Sequence, residues 1–127
     1  MALPDPGTRA ARRHVVTDHD TAAALGSGDV PALATPRLLA WCEAATVEAL
    51  ASGLPDDTTS VGTRMSLEHL HPTPVGAAID VSAVLSHTDG RLLRFEVVAH
   101  DAGGKVIAHG DITRVAVGRD RFLSRLR

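Results

Sequence analysis

Residues 34–50, ATPRLLAWCEAATVEAL, decide the fold because they form the long amphipathic segment of a 127-residue chain. Thr35 is a good N-cap residue, and Pro36 suits the first helical position, where its missing N–H costs nothing. The pattern stops near Ser52 and Gly53, and glycine is typical of a helix C-terminus. The segment therefore predicts a helix of about five turns.

The predicted helix has an apolar face that also contains a carboxylate. At about 100° per residue, the face consists of two rows, formed by Leu38, Cys42, Ala45 and Ala49 and by Leu39, Thr46 and Leu50. Glu43 falls in the second row, whereas Arg37 and Glu48 point to the opposite side. Because burying an isolated charge is expensive, Glu43 needs a partner or a polar cavity.

Beyond the helix the apolar period changes from about 3.6 to 2, which is typical of strands. Four runs follow, at residues 61–71, 78–87, 91–101 and 105–118, and residues 12–17 read as an earlier short strand. Asp89-Gly90 is a strong hairpin signal. Since short connections join antiparallel neighbours, we expect an antiparallel meander of four strands with the helix over one face. Residues 1–11 read as a loose N-terminus.

The alternation along the strands places polar side chains under the helix. In residues 61–71, Met65, Leu67 and His69 share one face, and the two apolar members mark that face as buried. In residues 105–118, Arg114 shares a face with apolar neighbours. We therefore expect His69 and Glu43 to meet between the helix and the sheet.

Composition excludes several classes of function. A net charge of −2 lacks the excess of basic residues that is typical of nucleic-acid-binding domains. Aromatic residues make up only 2% of the chain, which argues against RNA binding by base stacking. The single cysteine forms no internal disulfide, which is consistent with a reducing cytoplasm, and no apolar run is long enough to span a bilayer. The high content of Ala, Arg, Gly and Val suggests a GC-rich bacterial genome.

Two motifs together resemble the hotdog-fold thioesterases of the fluoroacetyl-coenzyme A thioesterase group. Thr35 and Glu43 stand in a Thr-x7-Glu arrangement within TPRLLAWCE, and Gly62 and His69 stand in a Gly-x6-His arrangement within GTRMSLEH. Arg114 is at the position of an arginine in that family. The resemblance spans roughly residues 12–122, and it is moderately specific because both spacings occur in the right order on the right elements.

The resemblance implies an α+β protein with a hotdog fold, in which a curved antiparallel sheet wraps around one long central helix, here in a single domain over residues 1–127. It implies a homodimer or homotetramer with sites at or near the subunit interface. Thr35, Glu43 and His69 would form the catalytic group, while Gly62 and Arg114 would bind substrate. The implied reaction is hydrolysis of an acyl-coenzyme A or related acyl thioester, with Glu43 as nucleophile or as base on water.

The segment before the helix differs from that of the type enzyme of this group. That enzyme has aromatic residues there, which close over a very small acyl group, whereas residues 26–34 read GSGDVPALA. We therefore expect a different acyl chain or a more open pocket. Coenzyme A enters as part of the substrate, and no cofactor, metal, nucleic acid or membrane partner is expected.

Other interpretations remain open from the residues alone. The protein could be a non-catalytic acyl-thioester-binding module, or a hotdog hydratase or dehydratase, although the Asp-x4-His pair of the latter is missing at the corresponding place. Glu43 could form a surface ion pair, and His69 could be a core histidine. His69 and His71 on one strand could bind a metal, but no ligand companion stands at suitable spacing. The arginines of RDRFLSRLR, residues 119–127, could meet coenzyme A phosphates; we interpret this tail as a solvated terminus.

Overall fold

The computed structural model describes residues 2–127. A strand β1 (Arg9–Val15) is followed by a 3-10 turn (Asp18–Asp20) and a short helix α1 (Ala22–Leu25). The long helix α2 (Thr35–Leu50) comes next. The chain then forms β2 (Thr58–His69), β3 (Ala78–Asp89), β4 (Leu92–Asp101), β5 (Val106–Gly118) and a terminal helix α3 (Arg119–Ser124). The predicted helix and all four later strands are present.

The five strands form one antiparallel sheet in the order β1-β3-β4-β5-β2. The two-residue turn at Gly90 and Arg91 joins β3 to β4 in the hairpin that Asp89-Gly90 predicts, and Gly90 takes the first central position with a φ of 59°. The predicted four-strand meander is wrong for β2, which pairs with β5 at the far edge of the sheet rather than with β3. The Pro-rich connection over residues 72–76 is therefore a crossover between the two halves of the sheet and not a hairpin.

Helix α2 packs on the concave side of the sheet, against β1, β2, β3 and β4. The first predicted row is fully buried, as Leu38, Cys42, Ala45 and Ala49 all belong to the core. It packs against strand residues such as Ile79, Leu85, Leu93, Phe95 and Ile112. With two phenylalanines in the whole chain, this core depends on branched aliphatic side chains that suit a pleated surface.

Two details at the ends of α2 differ from the sequence-based expectation. Ala34 is the N-cap, and Thr35 is already the first helical residue, so the hydroxyl of Thr35 is not used for capping. Gly53 has no positive φ. A Cβ atom at Gly53 would lie 2.6 Å from Cγ of Pro4, so this glycine permits a close approach of the N-terminal segment.

The N-terminal segment is more ordered than the sequence suggests. Strand β1 starts at Arg9, so the expectation of a loose chain through residue 11 is wrong for residues 9–11, and Met1 lies outside the described residues. The backbone N–H of Gly7 donates to the carbonyl of Leu85 at 2.8 Å. Leu3 packs against the core. Pairing with β3 supplies the hydrogen bonds that the local sequence could not indicate.

Candidate active site

Thr35 and His69 form a hydrogen-bonded pair where the start of α2 meets the end of β2. The distance between Thr35 Oγ1 and His69 Nδ1 is 2.8 Å. The pairing follows from two local features: Thr35 is free of capping, and the inward alternation of β2 turns His69 toward the helix, as predicted. Burial lowers the pKa of the imidazole below its ordinary value, while the His71 backbone opposes part of that shift. The ring is therefore neutral near pH 7 and can accept a proton.

A cavity of about 380 Å³ opens beside this pair. Thr35 and His69 lie in its wall, together with residues of α1, of the segment before α2 and of the chain after β2. The apolar part of the lining comes from Ala22, Val30, Ala32, Leu33, Leu70 and Pro72. The segment predicted to face the acyl group thus does line a pocket, and its volume is within the usual range for small-molecule sites.

Glu43 lies in a second polar group, two turns further along α2. Its carboxylate Oε2 is 3.5 Å from Nη1 of Arg114, a side chain only 8% exposed against 35% for Glu43. Arg114 also donates from Nε to Ser60 Oγ at 2.9 Å and from Nη2 to the Ser60 carbonyl at 3.1 Å. Burial lowers the pKa of the Arg114 guanidinium, and the negative charge of Glu43 opposes that shift. The carboxylate in the apolar row thus has the charged partner that its position required.

Gly62 makes room for the Glu43 carboxylate. The ladder between β2 and β5 is irregular between Gly62 and Arg64, and Gly62 pairs with Arg114. A Cβ atom at Gly62 would lie 2.9 Å from Glu43 Oε2 and 2.6 Å from Cε of Met65. Both distances are shorter than a normal contact, so glycine is needed for the carboxylate to occupy this position.

The structure assembles the five predicted residues in two groups, so the expected meeting of Glu43 with His69 is wrong within one chain. Thr35 pairs with His69, and Glu43 lies with Gly62 and Arg114; among residues 2–127 no hydrogen bond joins Glu43 to His69. Gly62 and His69 are seven residues apart on β2, which corresponds to roughly 20 Å of strand. The two groups therefore occupy opposite ends of the helix–strand contact within one chain.

The remaining candidates take simpler places. Cys42 is fully buried, and desolvation raises the pKa of its thiol to about 12, which is typical of a packing residue. No cluster of three or more potential metal ligands occurs in the part of the chain that the structure describes. The sequence analysis missed Ser60, which fixes Arg114; no local pattern indicates it, because the contact depends on the pairing of β2 with β5.

Comparisons with known proteins identify first the fold class and then the family. A Thermus thermophilus protein described as a thioesterase superfamily member has a TM-score of 0.92 at 23% identity, covering 100% of this chain and 93% of that one. A hot-dog-like protein from Thermanaerovibrio acidaminovorans has a TM-score of 0.87 at 25% identity, covering 95% and 89%. The fold is therefore the hotdog fold, as predicted.

Residues 16–120 match the family described as fluoroacetyl-CoA-specific thioesterase. The fluoroacetyl-CoA thioesterase of Streptantibioticus cattleyicolor is 33% identical over 94 residues, which cover 74% of this chain and 67% of that protein. A structure of the fluoroacetyl-CoA thioesterase FlK has a TM-score of 0.88 at 30% identity, covering 98% and 96%. The chain belongs to the fluoroacetyl-CoA-specific thioesterase family. The predicted family and the predicted class of enzyme, a thioester hydrolase acting on acyl-CoA, are confirmed.

Proposed function

We propose that this enzyme hydrolyses acyl-CoA thioesters whose acyl group is larger than fluoroacetyl. The observation that carries the proposal is the cavity of about 380 Å³ next to Thr35 and His69. No Phe, Tyr or Trp side chain is among its lining residues, so no large aromatic ring there closes over a two-carbon acyl group. The apolar residues of the lining favour an aliphatic chain, which gains binding energy by leaving water.

The acyl group can be identified by measuring kcat/KM across a series of straight-chain acyl-CoA substrates and fluoroacetyl-CoA. Each methylene that enters the apolar lining contributes about 0.8 kcal/mol, or roughly fourfold in kcat/KM. We expect kcat/KM to rise from acetyl to medium chains and then to level off or fall when the cavity is full. A clear preference for fluoroacetyl-CoA over every longer chain would refute this assignment.

We propose that Thr35 and His69 act as one proton-transfer unit. With the Thr35 hydroxyl on Nδ1, the imidazole is held in one orientation next to the cavity. In the route with Glu43 as base, the proton that Glu43 takes from water would pass to the neutral imidazole of His69 and from there to the departing thiolate of coenzyme A; the lowered pKa of His69 supports that neutral ring.

We propose that Glu43 activates the attack on the thioester carbon. It would act as a base on water or as a nucleophile, and in both routes the C–S bond breaks. In the first route water supplies the new oxygen of the acid directly; in the second, the acid takes an oxygen of Glu43 when water opens the anhydride at the Glu43 carboxyl carbon, and water replaces that oxygen in Glu43. Arg114 would position the carboxylate, and the backbone N–H of Gly62 would help to hold the oxygen of the thioester carbonyl as it becomes negative. A single turnover in H₂¹⁸O distinguishes the two routes, because ¹⁸O retained in Glu43 would require a covalent intermediate.

We propose that two copies of the chain complete each site. Strand β2 is an edge of the sheet and offers unpaired backbone groups to a second β2. A twofold axis near Met65 and Ser66 would pair the two strands antiparallel and bring His69 next to Gly62 of the partner subunit. The Thr35–His69 pair of one chain would then face Glu43 of the partner subunit. This homodimer accounts for the separation of the two groups within one chain.

Single substitutions test the roles of the two groups. Glu43→Gln and His69→Gln should each lower kcat by at least about 100-fold while the fold, followed by circular dichroism, is unchanged. Glu48→Gln is the matched control, because Glu48 is a glutamate on the exposed side of the same helix. Equal rates in Glu43→Gln and Glu48→Gln would remove Glu43 from the mechanism. If the wild-type protein releases no thiol from any acyl-CoA but binds acyl-CoA saturably, the result would favour the alternative of a non-catalytic binding module.

Mixing two inactive variants tests the shared site. A dimer of one Glu43→Gln chain and one His69→Gln chain has one site with both residues intact and one site with neither. Random exchange makes half of the dimers mixed, so about a quarter of the wild-type activity should return. If both groups served the same site within one chain, the mixture would stay inactive.

We also propose that the chain acts as a single domain in the cytoplasm. The support is the packing of α2 on four of the five strands, and a single cysteine that forms no internal disulfide. No helix across the described residues is long and apolar enough to cross a membrane. The reaction as proposed needs only water and the substrate.

A further inference from the structure

Three arginines surround a cavity at the end of the sheet where α3 begins. The cavity has a volume of about 280 Å³ and is lined by Arg91, Arg121 and Arg125, with Phe122, Val117 and Gly118 between them. Two backbone hydrogen bonds fix its walls. The N–H of Ala116 donates to the Arg91 carbonyl at 2.9 Å, and the N–H of Arg119 donates to the Asp57 carbonyl at 2.7 Å.

The arginines that line this cavity have no carboxylate partner at ion-pair distance among the described residues. Its lining contains three guanidinium groups and no carboxylate. Among residues 2–127, no Asp or Glu side chain lies within 4.0 Å of Arg91, Arg121 or Arg125 in an ion pair. Three like charges around one small cavity repel one another, and an anion between them would relieve that repulsion.

The cavity lies at a distance from the proposed site that fits an extended coenzyme A arm. Gly62 pairs with Arg114 and Thr58 pairs with Gly118, so four residues of strand separate the Glu43 group from the cavity, or about 13 Å. The pantetheine arm has 13 bonds between its sulfur and the first phosphorus, about the backbone of four residues, and spans roughly 15 Å when extended. A thioester carbonyl at Gly62 would thus leave the phosphates close to α3.

We propose that this cavity binds the 3′-phosphorylated adenosine diphosphate portion of coenzyme A. The inference rests on the proposed function, because it extends the same substrate from the proposed catalytic group. Arginine matches phosphate geometry with paired N–H donors. Phe122 is partly buried in the cavity wall and offers an aromatic face on which the adenine can stack.

Kinetics with full-length variants test the proposal. Arg91→Gln, Arg121→Gln and Arg125→Gln should each raise KM for acyl-CoA by roughly fivefold with kcat unchanged, and the rise should shrink at high salt. KM for the matching acyl-pantetheine, which lacks the nucleotide, should not change. Arg119→Gln is the matched control, since Arg119 is exposed on the same helix but does not line the cavity.

Direct binding separates this proposal from the proposed function. Adenosine 3′,5′-bisphosphate, measured by calorimetry, should bind the wild-type protein and bind Arg121→Gln more weakly by a similar factor. Unchanged affinity and unchanged KM in all three variants would overturn the nucleotide site, even in an active thioesterase. If no acyl-CoA is hydrolysed but the bisphosphate binds through these arginines, the proposed function fails and the site stands. If the three arginine variants lost turnover only with acyl-carrier-protein thioesters and not with acyl-CoA, that result would also overturn the proposal.

Discussion

Replacing Gly62 with alanine should damage catalysis and leave the fold intact. The added Cβ would lie 2.9 Å from Glu43 Oε2 and 2.6 Å from Met65 Cε, and about 3.4 Å is the shortest comfortable contact. Both obstacles are the free ends of flexible side chains, so each can move by about 0.5–1 Å. Because a displacement of about 1 Å in a catalytic group costs on the order of 100-fold, we expect kcat to fall by 10- to 100-fold.

The same reasoning predicts the opposite outcome at Gly110. A Cβ atom there would collide with the Ser66 carbonyl oxygen of the neighbouring strand, which is backbone and cannot turn away. Gly110→Ala should therefore lower the free energy of unfolding by about 3 kcal/mol, whereas Gly62→Ala should change it by less than about 1 kcal/mol.

Urea unfolding and thiol-release kinetics on the same preparations measure both effects. Gly103→Ala is the control, because its Cβ would meet only Asp101 Oδ1, at 3.4 Å, in an exposed turn. Full activity in a well-folded Gly62→Ala protein would refute the idea that the position of the Glu43 carboxylate limits the reaction. A loss of activity that simply follows a loss of stability would refute it as well.

Three further predictions concern charge and burial. Burial lowers the pKa values of His14 and His69, so the folded state binds fewer protons than the unfolded state. The free energy of unfolding should therefore fall as the pH drops below about 6.5. In urea titrations, the protein with both histidines replaced by glutamine should show a flatter dependence of stability on pH. Cys42, with a pKa of about 12 and no exposed surface, should resist iodoacetamide at pH 8 until the protein is unfolded, as mass spectrometry would show. Arg114→Gln should lower kcat about tenfold and destabilise the fold by about 2 kcal/mol in urea titrations, because the Glu43 and Ser60 contacts are lost together.

Local sequence patterns were sufficient to predict the elements that carry the site. The 3.6-residue period predicted the start of α2 to within one residue. The two-residue period predicted that the side chains of His69 and Arg114 face inward, as they do. These features depend on side chains that are close in sequence, where sterics and burial act directly. The same patterns identified Glu43 as a charge that needed a partner.

The order of the strands could not be predicted in the same way. The connection over residues 72–76 is short enough for a hairpin, but β2 pairs with β5, whose partner residues lie 39 to 60 positions later in the chain. Long-range pairing depends on how the whole sheet curves around α2, and no local window contains that information. The strand at residues 9–11 was missed for the same reason, since its partner is β3.

The separation of the two groups within one chain follows from the geometry of α2 and β2. A helix rises about 1.5 Å per residue and a strand about 3.3 Å, so the eight residues from Thr35 to Glu43 cover less distance than the seven from Gly62 to His69. The contacts at Thr35 and at Glu43 are thus about 12 Å apart along the helix and cannot both reach one thioester carbonyl within a single chain. In this chain one end holds the Thr35–His69 pair and the other end holds the Glu43 carboxylate with Arg114. In the homodimer that we propose, a thioester carbonyl would meet both groups where the opposite ends of two chains come together, so the open edge of β2 is as much a part of the proposed site as Glu43.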